Sequence, residues 1–460
     1  MKKIVIASDS FKGSLTSQEV ADAVAHGIMK AMASASDTHM PEPCDMTELC
    51  NMPEPCNMQE TKQKTEQTVA DHCEIIELAI ADGGEGTTEA LAAALGATFI
   101  TIQVHDPLGR PIEARYAIID YPINGQDNNY ADRETQTSQT NRTAIIEMSA
   151  ASGLTLLSPE ERNPLLTSTY GTGELILDAI RKGCTRFLIG IGGSATNDGG
   201  TGMLEALGFR FIDKDDHEIT GMNGGRLSEI AAIVKPTSQD RCKHGQIGST
   251  LHEDKLANFE FITACDVDTP FCGPDGATAV FSAQKGATPE MQIILEKGMQ
   301  NLNRIIAQTT GIELSIISGT GAAGGLGGAL YAFMNSELKS GIDMVLDTIG
   351  FDEIIKEADL IITGEGRIDS QTGKGKAAAG VLKRASKAGV PVLAIAGMVD
   401  MTPKEIAESG FAAVLPIGPK PQNESDLEHA MLPEVASENI SNTVSKALVS
   451  LFPSWFRVNP

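Results

Sequence analysis

The chain has 460 residues, which is enough for two or three domains with buried cores. Apolar residues make up 41% of the sequence and charged residues 21%, as in an ordinary globular protein. The 36 Lys and Arg residues against 61 Asp and Glu residues give a formal net charge of −25, so we expect neither nucleic acid nor an anionic membrane surface as a main partner.

Targeting signals and disulfides are also not expected. No apolar run approaches the roughly 18 to 20 residues that cross a bilayer, and the apolar stretch after the first lysines, Ile4–Ala7, is too short for a signal peptide. The eight cysteines include no CxxC pair and are too sparse for a disulfide scaffold. We therefore expect a cytoplasmic protein with reduced thiols.

A strand, a glycine-rich or acidic turn and an amphipathic helix recur along the chain, which is the pattern of βα units. Ile4–Ser8 predicts a buried strand, and the capping box Thr16–Glu19 begins a helix that runs to about Ala33. Further strands are predicted near Ile75–Ile80, Ile145–Met148, Phe187–Ile191, Phe259–Ala264, Asp359–Thr363, Val390–Ala396 and Ala412–Pro416. Further helices are predicted at Thr88–Leu95, Glu174–Arg181 and Pro289–Gln308.

One segment departs from this pattern. Ala97–Ile119 consists of two alternating runs around the turn Pro107–Arg110, which predicts a β-hairpin and so some antiparallel sheet. Because a purely doubly wound protein does not need a hairpin, we expect two unlike α/β domains.

Three polar segments are interpreted as insertions: 38–73, 124–141 and 236–258. The first contains a near-repeat that places Cys44, Cys50 and Cys56 six residues apart. A soft-metal site is an alternative there, but this spacing does not match zinc ligands, so an incidental repeat expansion is favoured.

The first candidate motif, Asp9–Ser14, joins the first predicted strand to a helix. Ligands of open α/β sheets bind at the carboxyl ends of strands. Asp9 and Ser10 are therefore candidate binding residues, and Lys12 is a candidate partner for an anion. The alternative is a polar turn with a solvated lysine.

The second motif, Asp82–Thr87, also follows a strand and precedes a helix. Its three glycines permit close backbone approach to a ligand, and the carboxylates of Asp82 and Glu85 flank the turn. A simple turn with capping carboxylates is the alternative.

The third motif, Gly190–Gly202, is the strongest local signal. Its small residues predict amides exposed to a phosphate at Gly192 and Gly193, with a hydroxyl from Ser194. Asn197 and Asp198 carry the oxygen ligands that Mg²⁺ prefers.

The fourth motif begins with Ala264–Asp268 at the end of an apolar strand. Asp266 is placed as a metal ligand or a base, and Lys285, further along, as a phosphate partner. Cys265 has no histidine nearby, so a small buried apolar role is favoured over a nucleophile.

The fifth motif, Thr363–Asp369, presents Glu365, Arg367 and Asp369 after another strand, with Lys376 close by in sequence. Local positive charge in an acidic protein is informative about anionic ligands. Lys376 is equally consistent with an ordinary solvated residue.

A sixth pattern, Gly319–Gly324, matches GxGxxG but follows a poor strand. Gly321 and Gly324 are candidate phosphate cradles, and close packing is the alternative. No GxxxxGK[ST] occurs, which excludes a P-loop kinase.

Together these motifs, with Asn163–Thr167 and Gly171–Glu174, resemble the bacterial glycerate kinases related to the glucarate and glyoxylate pathway enzymes. The resemblance covers nearly the whole chain in the right order. It implies ATP-dependent phosphorylation of D-glycerate with Mg²⁺, most often at the 2-hydroxyl to give 2-phosphoglycerate. It also implies two dissimilar α/β domains, a Rossmann-like parallel-sheet domain with a second mixed α/β domain inserted into it.

We place the Rossmann-like domain at residues 1–80 plus 290–460 and the inserted domain at 81–289. Phosphoryl transfer requires in-line positioning and neutralised charge. We expect Lys12, Lys285 and Arg367 to bind phosphate or substrate carboxylate. Asp198, Asp266 and Glu365 are expected to hold Mg²⁺ or accept the hydroxyl proton, with Asp198 and Asp266 as the metal ligands.

Three alternatives remain open at the level of sequence: a kinase that forms 3-phosphoglycerate, an NAD-dependent hydroxyacid dehydrogenase based on Gly319–Gly324, and a small-acid binding module without turnover. The expected assembly is a monomer or homodimer.

Overall fold

The computed structural model describes residues 2–36, 73–84, 86–121, 141–237, 258–369 and 376–455. The chain divides into two compact units. Unit 1 comprises Met1–Ala81 and Leu346–Pro460, and unit 2 comprises Asp82–Val345. Unit 2 is thus inserted in sequence between the two parts of unit 1.

The strands in chain order are β1 Lys2–Ser8, β2 Cys73–Ala79, β3 Thr98–His105, β4 Pro111–Tyr121, β5 Asn141–Glu147, β6 Cys184–Gly190, β7 Arg210–Ile212, β8 Glu218–Ile219, β9 Ala232–Val234, β10 Glu260–Ala264, β11 Glu337–Lys339, β12 Leu360–Asp369, β13 Val392–Asp400 and β14 Ala413–Pro416. The α-helices are α1 Ser17–Ser36, α2 Thr87–Leu95, α3 Ser149–Ser152, α4 Tyr170–Arg181, α5 Thr201–Ala206, α6 Ala277–Phe281, α7 Pro289–Thr310, α8 Leu326–Met334, α9 Gly341–Thr348, α10 Phe351–Ile354, α11 Ala377–Ala388, α12 Pro403–Ser409, α13 Glu424–Ala430 and α14 Pro433–Leu451. Short 3-10 helices include Ala283–Lys285, Leu314–Ile316 and Ala322–Gly325.

Unit 1 is built on a five-stranded parallel sheet in the order β14-β13-β12-β1-β2. Its central strands are apolar on both sides because helices cover both faces. Helices α1 and α14 cover one face, over a core that includes Ile6 and Ile362. Ala378 of α11 packs on the other face. Gly27 lets α1 approach α14 closely, since a Cβ there would lie 2.7 Å from the carbonyl oxygen of Ser441.

The start of unit 1 matches the sequence prediction. The amide of Thr16 donates to Glu19 Oε2 at 2.8 Å, and the amide of Glu19 donates to Thr16 Oγ1 at 3.3 Å. This reciprocal pair is the predicted capping box, and it satisfies amides that have no partner within α1.

Unit 2 contains a six-stranded mixed sheet in the order β11-β10-β6-β5-β4-β3. Strand β4 runs antiparallel to β3 and to β5, and the other pairs are parallel. The predicted hairpin is therefore confirmed, as is the prediction of two dissimilar α/β units, one with a parallel and one with a mixed sheet. A second, three-stranded sheet in the order β8-β7-β9 was not predicted, because its strands are only two or three residues long.

Two sequence-based boundaries are corrected. Residues 290–345 lie in unit 2, so the unit boundary falls at Val345 and not at 289. The physical reason is that the apolar face of α7, including Met299 and Leu302, is buried in the core of unit 2. Strand β12 runs to Asp369, beyond the predicted end at Thr363, because its residues continue to pair with β13.

Most of the predicted insertions 38–73, 124–141 and 236–258, together with Cys44, Cys50 and Cys56, lie outside the described residues. Within the ranges that the structure describes, no helix is long and apolar enough to cross a membrane.

Candidate functional site

In unit 1 the first and fifth motifs lie side by side at the carboxyl ends of β1 and β12. Ser8 pairs with Gly364, and the amide of Asp9 donates to the carbonyl of Gly364 at 2.9 Å. The Asp9 carboxylate in turn accepts from the amide of Ser10 at 2.6 Å, which orders the turn toward Lys12. Two motifs that are distant in sequence are thus joined by backbone hydrogen bonds.

Glu365 is a largely shielded carboxylate within β12, with 7% of its surface exposed. Lys376 Nζ lies 3.9 Å from Glu365 Oε2 and donates to the carbonyl of Arg367 at 3.4 Å. Lys376 therefore compensates a carboxylate of the motif, which goes beyond the role of a freely solvated lysine.

A charged cluster follows on the same edge of the sheet. Arg367 Nη2 lies 2.6 Å from Asp400 Oδ2, and its Nε lies 3.9 Å from Asp369 Oδ2. Lys420 Nζ lies 3.6 Å from Asp400 Oδ1. Asp400 and Lys420 were missed in the sequence, although Asp400 ends β13 and so occupies the same kind of position as the predicted residues.

A cavity of about 600 Å³ opens within unit 1 at these strand ends. Three Lys and Arg side chains line it, Lys12, Arg367 and Lys420, together with His429 and the carboxylate of Asp426. Its apolar lining includes Phe11, Met398, Ile417, Leu427, Met431 and Val435. A cavity with both apolar and cationic lining suits a ligand that has an apolar part and an anionic part.

In unit 2 the second motif packs against α9. A Cβ on Gly83 would lie 2.6 Å from the Cα of Gly341, and Gly83 has a φ of +87°. Only glycine meets both demands. The Asp82 carboxylate accepts from the amide of Gly84 at 3.3 Å. Glu85, the other predicted carboxylate, lies outside the described residues.

Asp266 lies next to this turn. Its Oδ1 accepts from the amide of Gly341 at 2.9 Å. Partial loss of solvent and the carboxylates of Asp82 and Asp343 raise the pKa of Asp266 to about 6. A group of like charges of this kind favours a bound cation.

The exposed part of the glycine-rich loop is Gly192–Ser194. The carbonyl of Gly193 accepts from the amide of Leu154 at 2.8 Å, which ties the loop down. Gly193 has a φ of +72°. Binding of a ligand by these three residues stays a prediction.

The rest of that loop is buried, and the expected role of Asp198 as a Mg²⁺ ligand does not fit. Asp198 is fully buried, and its carboxylate accepts four hydrogen bonds: from Thr169 N, Thr169 Oγ1, Gly200 N and Gly202 N. Burial nevertheless raises the pKa of Asp198. This carboxylate organises the backbone before α5 and has no solvent-facing side for a metal. Asn197 is buried as well and donates to Thr278 Oγ1 at 3.2 Å.

Lys285 is also corrected as a direct phosphate partner. Its side chain is 2% exposed, and Nζ donates to the carbonyl of Thr196 at 2.7 Å. Burial lowers the pKa of Lys285 to about 7, against the opposing influence of Asp198. Lys285 therefore stabilises the loop from the buried side, through the carbonyl of Thr196.

Gly321 and Gly324 serve close packing. A Cβ on Gly321 would lie 2.1 Å from the carbonyl oxygen of Pro270, and one on Gly324 would lie 2.1 Å from that of Thr196. The residues before them form a 3-10 helix, Leu314–Ile316, and no strand. Neither feature fits a dinucleotide-binding fingerprint.

A second cavity of about 400 Å³ lies in unit 2 and was not foreseen from the sequence. Glu147, the last residue of β5, and Thr88 of α2 line it. The available signal was a carboxylate at the end of the predicted strand 145–148. Among the described residues, no group of three or more His, Cys, Asp or Glu side chains is arranged to hold a metal ion alone.

Comparison with known proteins agrees with these motifs. A family model described as the glycerate kinase family matches residues 4–42 and 56–451. A glycerate kinase of Bacillus subtilis (strain 168) is 38% identical over 417 residues, covering 91% of this chain and 90% of that protein. A glycerate 2-kinase of Escherichia coli (strain K12) is 36% identical over 415 residues, covering 90% of each.

A solved structure supports the same assignment. The crystal structure of a protein of Salmonella typhimurium LT2, provisionally named glycerate kinase 2, matches with a TM-score of 0.72 and 34% identity. The match covers 98% of this chain and 99% of that one. The chain therefore belongs to the glycerate kinase family of enzymes.

Proposed function

We propose that the protein transfers the γ-phosphoryl group of ATP to the 2-hydroxyl of D-glycerate, giving 2-phosphoglycerate and ADP. The family supports glycerate as the acceptor, and the E. coli relative carries the name glycerate 2-kinase. The observation that carries the proposal is the cavity of about 600 Å³ in unit 1, with its apolar lining and three basic side chains.

The cavity suits ATP for two reasons. Phe11, Met398 and Ile417 offer apolar surface to an adenine ring. Lys12, Arg367 and Lys420 offer charge to phosphates, and the side chains of Arg367 and Lys420 are 60% and 76% exposed, so a ligand can reach them although both lie beside Asp400. In the mechanism these side chains orient the phosphates and neutralise their negative charge.

Mg²⁺ fits the carboxylates of unit 2 in one respect. The charge of Asp82 contributes to the raised pKa of Asp266, and a cation bound by Asp266 offsets that repulsion. Mg²⁺ in kinases is held by one or two carboxylates together with substrate phosphates, so a protein cage of three carboxylates is not required. When bound, the ion neutralises charge on the transferred group. Asp266 and Asp82 would hold it.

Glycerate is assigned to unit 2. Gly192 and Gly193 are exposed and Ser194 is half-buried, so amides and a hydroxyl of this loop can serve as donors to an anionic or hydroxylated ligand. The carboxylate of Glu147, which pairs with Gly190 at the start of this loop, supplies an acceptor for a hydroxyl group. Such a donor and acceptor set suits a small hydroxy acid.

The test measures ADP release with Mg²⁺-ATP and D-glycerate, followed by phosphorus NMR of the product against both phosphoglycerates. A 2-phosphate product supports the proposal, and a 3-phosphate product revises the position of transfer. No ADP release from a folded sample, with the glycerate kinase of Bacillus subtilis active in parallel, overturns it.

A further inference from the structure

The cavity of about 400 Å³ in unit 2 contains a carboxylate that the motifs did not include. Glu147 ends β5 and pairs in register with Gly190, the first residue of the glycine-rich loop. A Cβ on Gly190 would lie 3.4 Å from Glu147 Cγ. The Glu147 side chain thus borders the start of the loop whose exposed part is Gly192–Ser194.

Glu147 is held by the first turn of α2. Its Oε1 accepts from the amide of Thr88 at 2.7 Å. Burial raises the pKa of the Glu147 carboxyl, the hydrogen bond from Thr88 opposes that shift, and the charge of Glu89 adds to it. A carboxylate with a raised pKa is a stronger base than one in water.

Thr88 gives a second indication of a ligand. It is 4% exposed and lines the same cavity. Its Oγ1 makes no hydrogen bond of ordinary length and angle among the described residues, although it lies close enough to the Glu147 carboxylate to favour the charged form of that group. Buried hydroxyls almost always have a partner, so an unpaired one at a cavity wall marks a place where a ligand or a water completes the bonding.

Arg115 supplies positive charge at the same cavity. One of its terminal nitrogens bonds Glu89, and its guanidinium lies 4.7 Å from the centre of the Phe99 ring. A guanidinium has five N–H donors, so further donors remain for a carboxylate. The charges of Arg115 and Glu89 cancel, so Glu147 carries the remaining net charge of the cavity lining. We therefore expect an anionic ligand to place its carboxylate near Arg115 and away from Glu147.

We propose that this cavity is the acceptor subsite and that Glu147 is the catalytic base for the acceptor hydroxyl. Thr88 Oγ1 bonds the same hydroxyl, and Arg115 binds the carboxylate of the hydroxy acid. As the acceptor oxygen forms its bond to the γ-phosphorus, its proton passes to Glu147. The bond from that phosphorus to the bridging oxygen breaks, and the electron pair leaves with ADP. This inference rests on the proposed function.

The test compares isosteric variants. Glu147→Gln keeps an oxygen that accepts from Thr88 N but cannot take a proton, so kcat should fall by about 100-fold or more while the KM for ATP changes less than about 2-fold. The acidic limb of the pH profile of kcat/KM should disappear. Thr88→Val should raise the KM for D-glycerate by about 10-fold, as expected for one lost hydrogen bond.

The matched controls are Glu113→Gln on β4 and Thr101→Val on β3, both exposed and outside the cavity. Both should keep kcat and KM within about 2-fold of the wild type. Retention of more than about a third of kcat in Glu147→Gln, or an equal rise in the KM for ATP and for glycerate in Thr88→Val, overturns the proposal.

Calorimetric titration of D-glycerate separates this inference from the function on which it rests. If the wild type releases no ADP with glycerate, the proposed function fails. Weaker glycerate binding in Thr88→Val than in Thr101→Val still supports the subsite in that case, and equal binding in the two overturns it. If Glu147→Gln does not fold, the same titration on Thr88→Val and on Arg115→Met decides, because both should bind glycerate about 10-fold more weakly.

Discussion

Lys285 donates a hydrogen bond from Nζ to the carbonyl oxygen of Thr196 at 2.7 Å, and 2% of the lysine is exposed. Asn197 and Asp198, which follow Thr196, are also buried. The glycine-rich loop is therefore exposed at Gly192–Ser194 and anchored in the core of unit 2 a few residues later. Lys285, which the sequence analysis assigned to phosphate binding, instead stabilises the loop by its hydrogen bond to Thr196.

The buried lysine makes folding stability depend on pH. Burial lowers the pKa of Lys285 from 10.5 to about 7. Below pH 7 the amine is charged in the folded and the unfolded chain, and the burial cost is present in full. Between about pH 7 and 10.5 only the unfolded chain keeps the proton on this amine. The free energy of unfolding therefore rises with pH in this range, by at most about 1.4 kcal/mol per pH unit.

The measurement is urea unfolding of the wild type and Lys285→Met from pH 6 to 9, because the difference between them cancels the titration of other groups. The variant should be less stable by about 1–3 kcal/mol at pH 9, since the Thr196 carbonyl loses its partner. Above pH 7 the free energy of unfolding of the wild type should rise relative to that of the variant. A difference that is flat over this range would show that Lys285 stays charged.

Asp198→Asn should act on folding. The carboxylate accepts from Thr169 N, Thr169 Oγ1, Gly200 N and Gly202 N, and an amide turns donor hydrogens toward some of these donors. The expected loss is roughly 2–4 kcal/mol of unfolding free energy. Thermal unfolding of the purified variant measures it, and an unchanged midpoint would contradict this assignment.

Glu365→Gln should act on catalysis. The side chain lies in the strand-end cluster of unit 1, beside Lys376. We expect kcat to fall by about 100-fold or more, because loss of this charge takes away the carboxylate that compensates Lys376 and disturbs the strand-end cluster beside the ATP cavity, with the unfolding midpoint within a few degrees of the wild type. Steady-state kinetics with Mg²⁺-ATP and D-glycerate decide, and near-normal turnover would remove Glu365 from the site.

The cations of the unit 1 cavity should govern the affinity for ATP. Replacing Lys12, Arg367 or Lys420 singly with alanine should raise the KM for ATP by about 10-fold, which is one charge-assisted hydrogen bond. The KM for glycerate should change less than about 2-fold. Lys404→Ala is the control, since Lys404 is exposed beside Glu408 and does not line the cavity. Equal effects in Lys404→Ala and Arg367→Ala would place ATP elsewhere.

The sequence was informative about which residues lie at strand ends. Asp9 and Glu365 could be predicted to lie at one edge of a sheet, because apolar runs mark the strands and carboxyl ends of parallel strands meet. The hairpin and the capping box of α1 were predictable for the same reason, since each depends on neighbouring residues.

Burial of the loop residues could not be predicted in this way. Asp198 and Lys285 look like ligand-binding groups in sequence, yet both are buried, and the distant segment Ala322–Gly325 packs on the same loop at Thr196 and Asn197. Glu147 was missed because it was treated as part of a strand, and only the fold brings it to Thr88. The extent of unit 2 was misjudged because α7 is amphipathic in either domain, and only packing shows which core it joins.

Gly324 tests whether that packing is obligatory. Its φ is +66°, and a Cβ would lie 2.1 Å from Thr196 O and 2.7 Å from the Cα of Asn197, so the clash is with backbone that has no rotamer to change. Gly311, at the end of α7, has a φ of +79° but nothing within 4 Å of a Cβ. Gly311→Ala should therefore cost only about 1 kcal/mol, the strain of a left-handed residue, and Gly324→Ala more than about 3 kcal/mol. Urea unfolding of both variants gives the difference.

The same pair of variants tests activity. The group displaced in Gly324→Ala is the Thr196 carbonyl that accepts from Lys285, so this variant should lose ADP release under conditions where Gly311→Ala keeps it. Equal losses in the two variants would mean that the loop does not depend on this hydrogen bond.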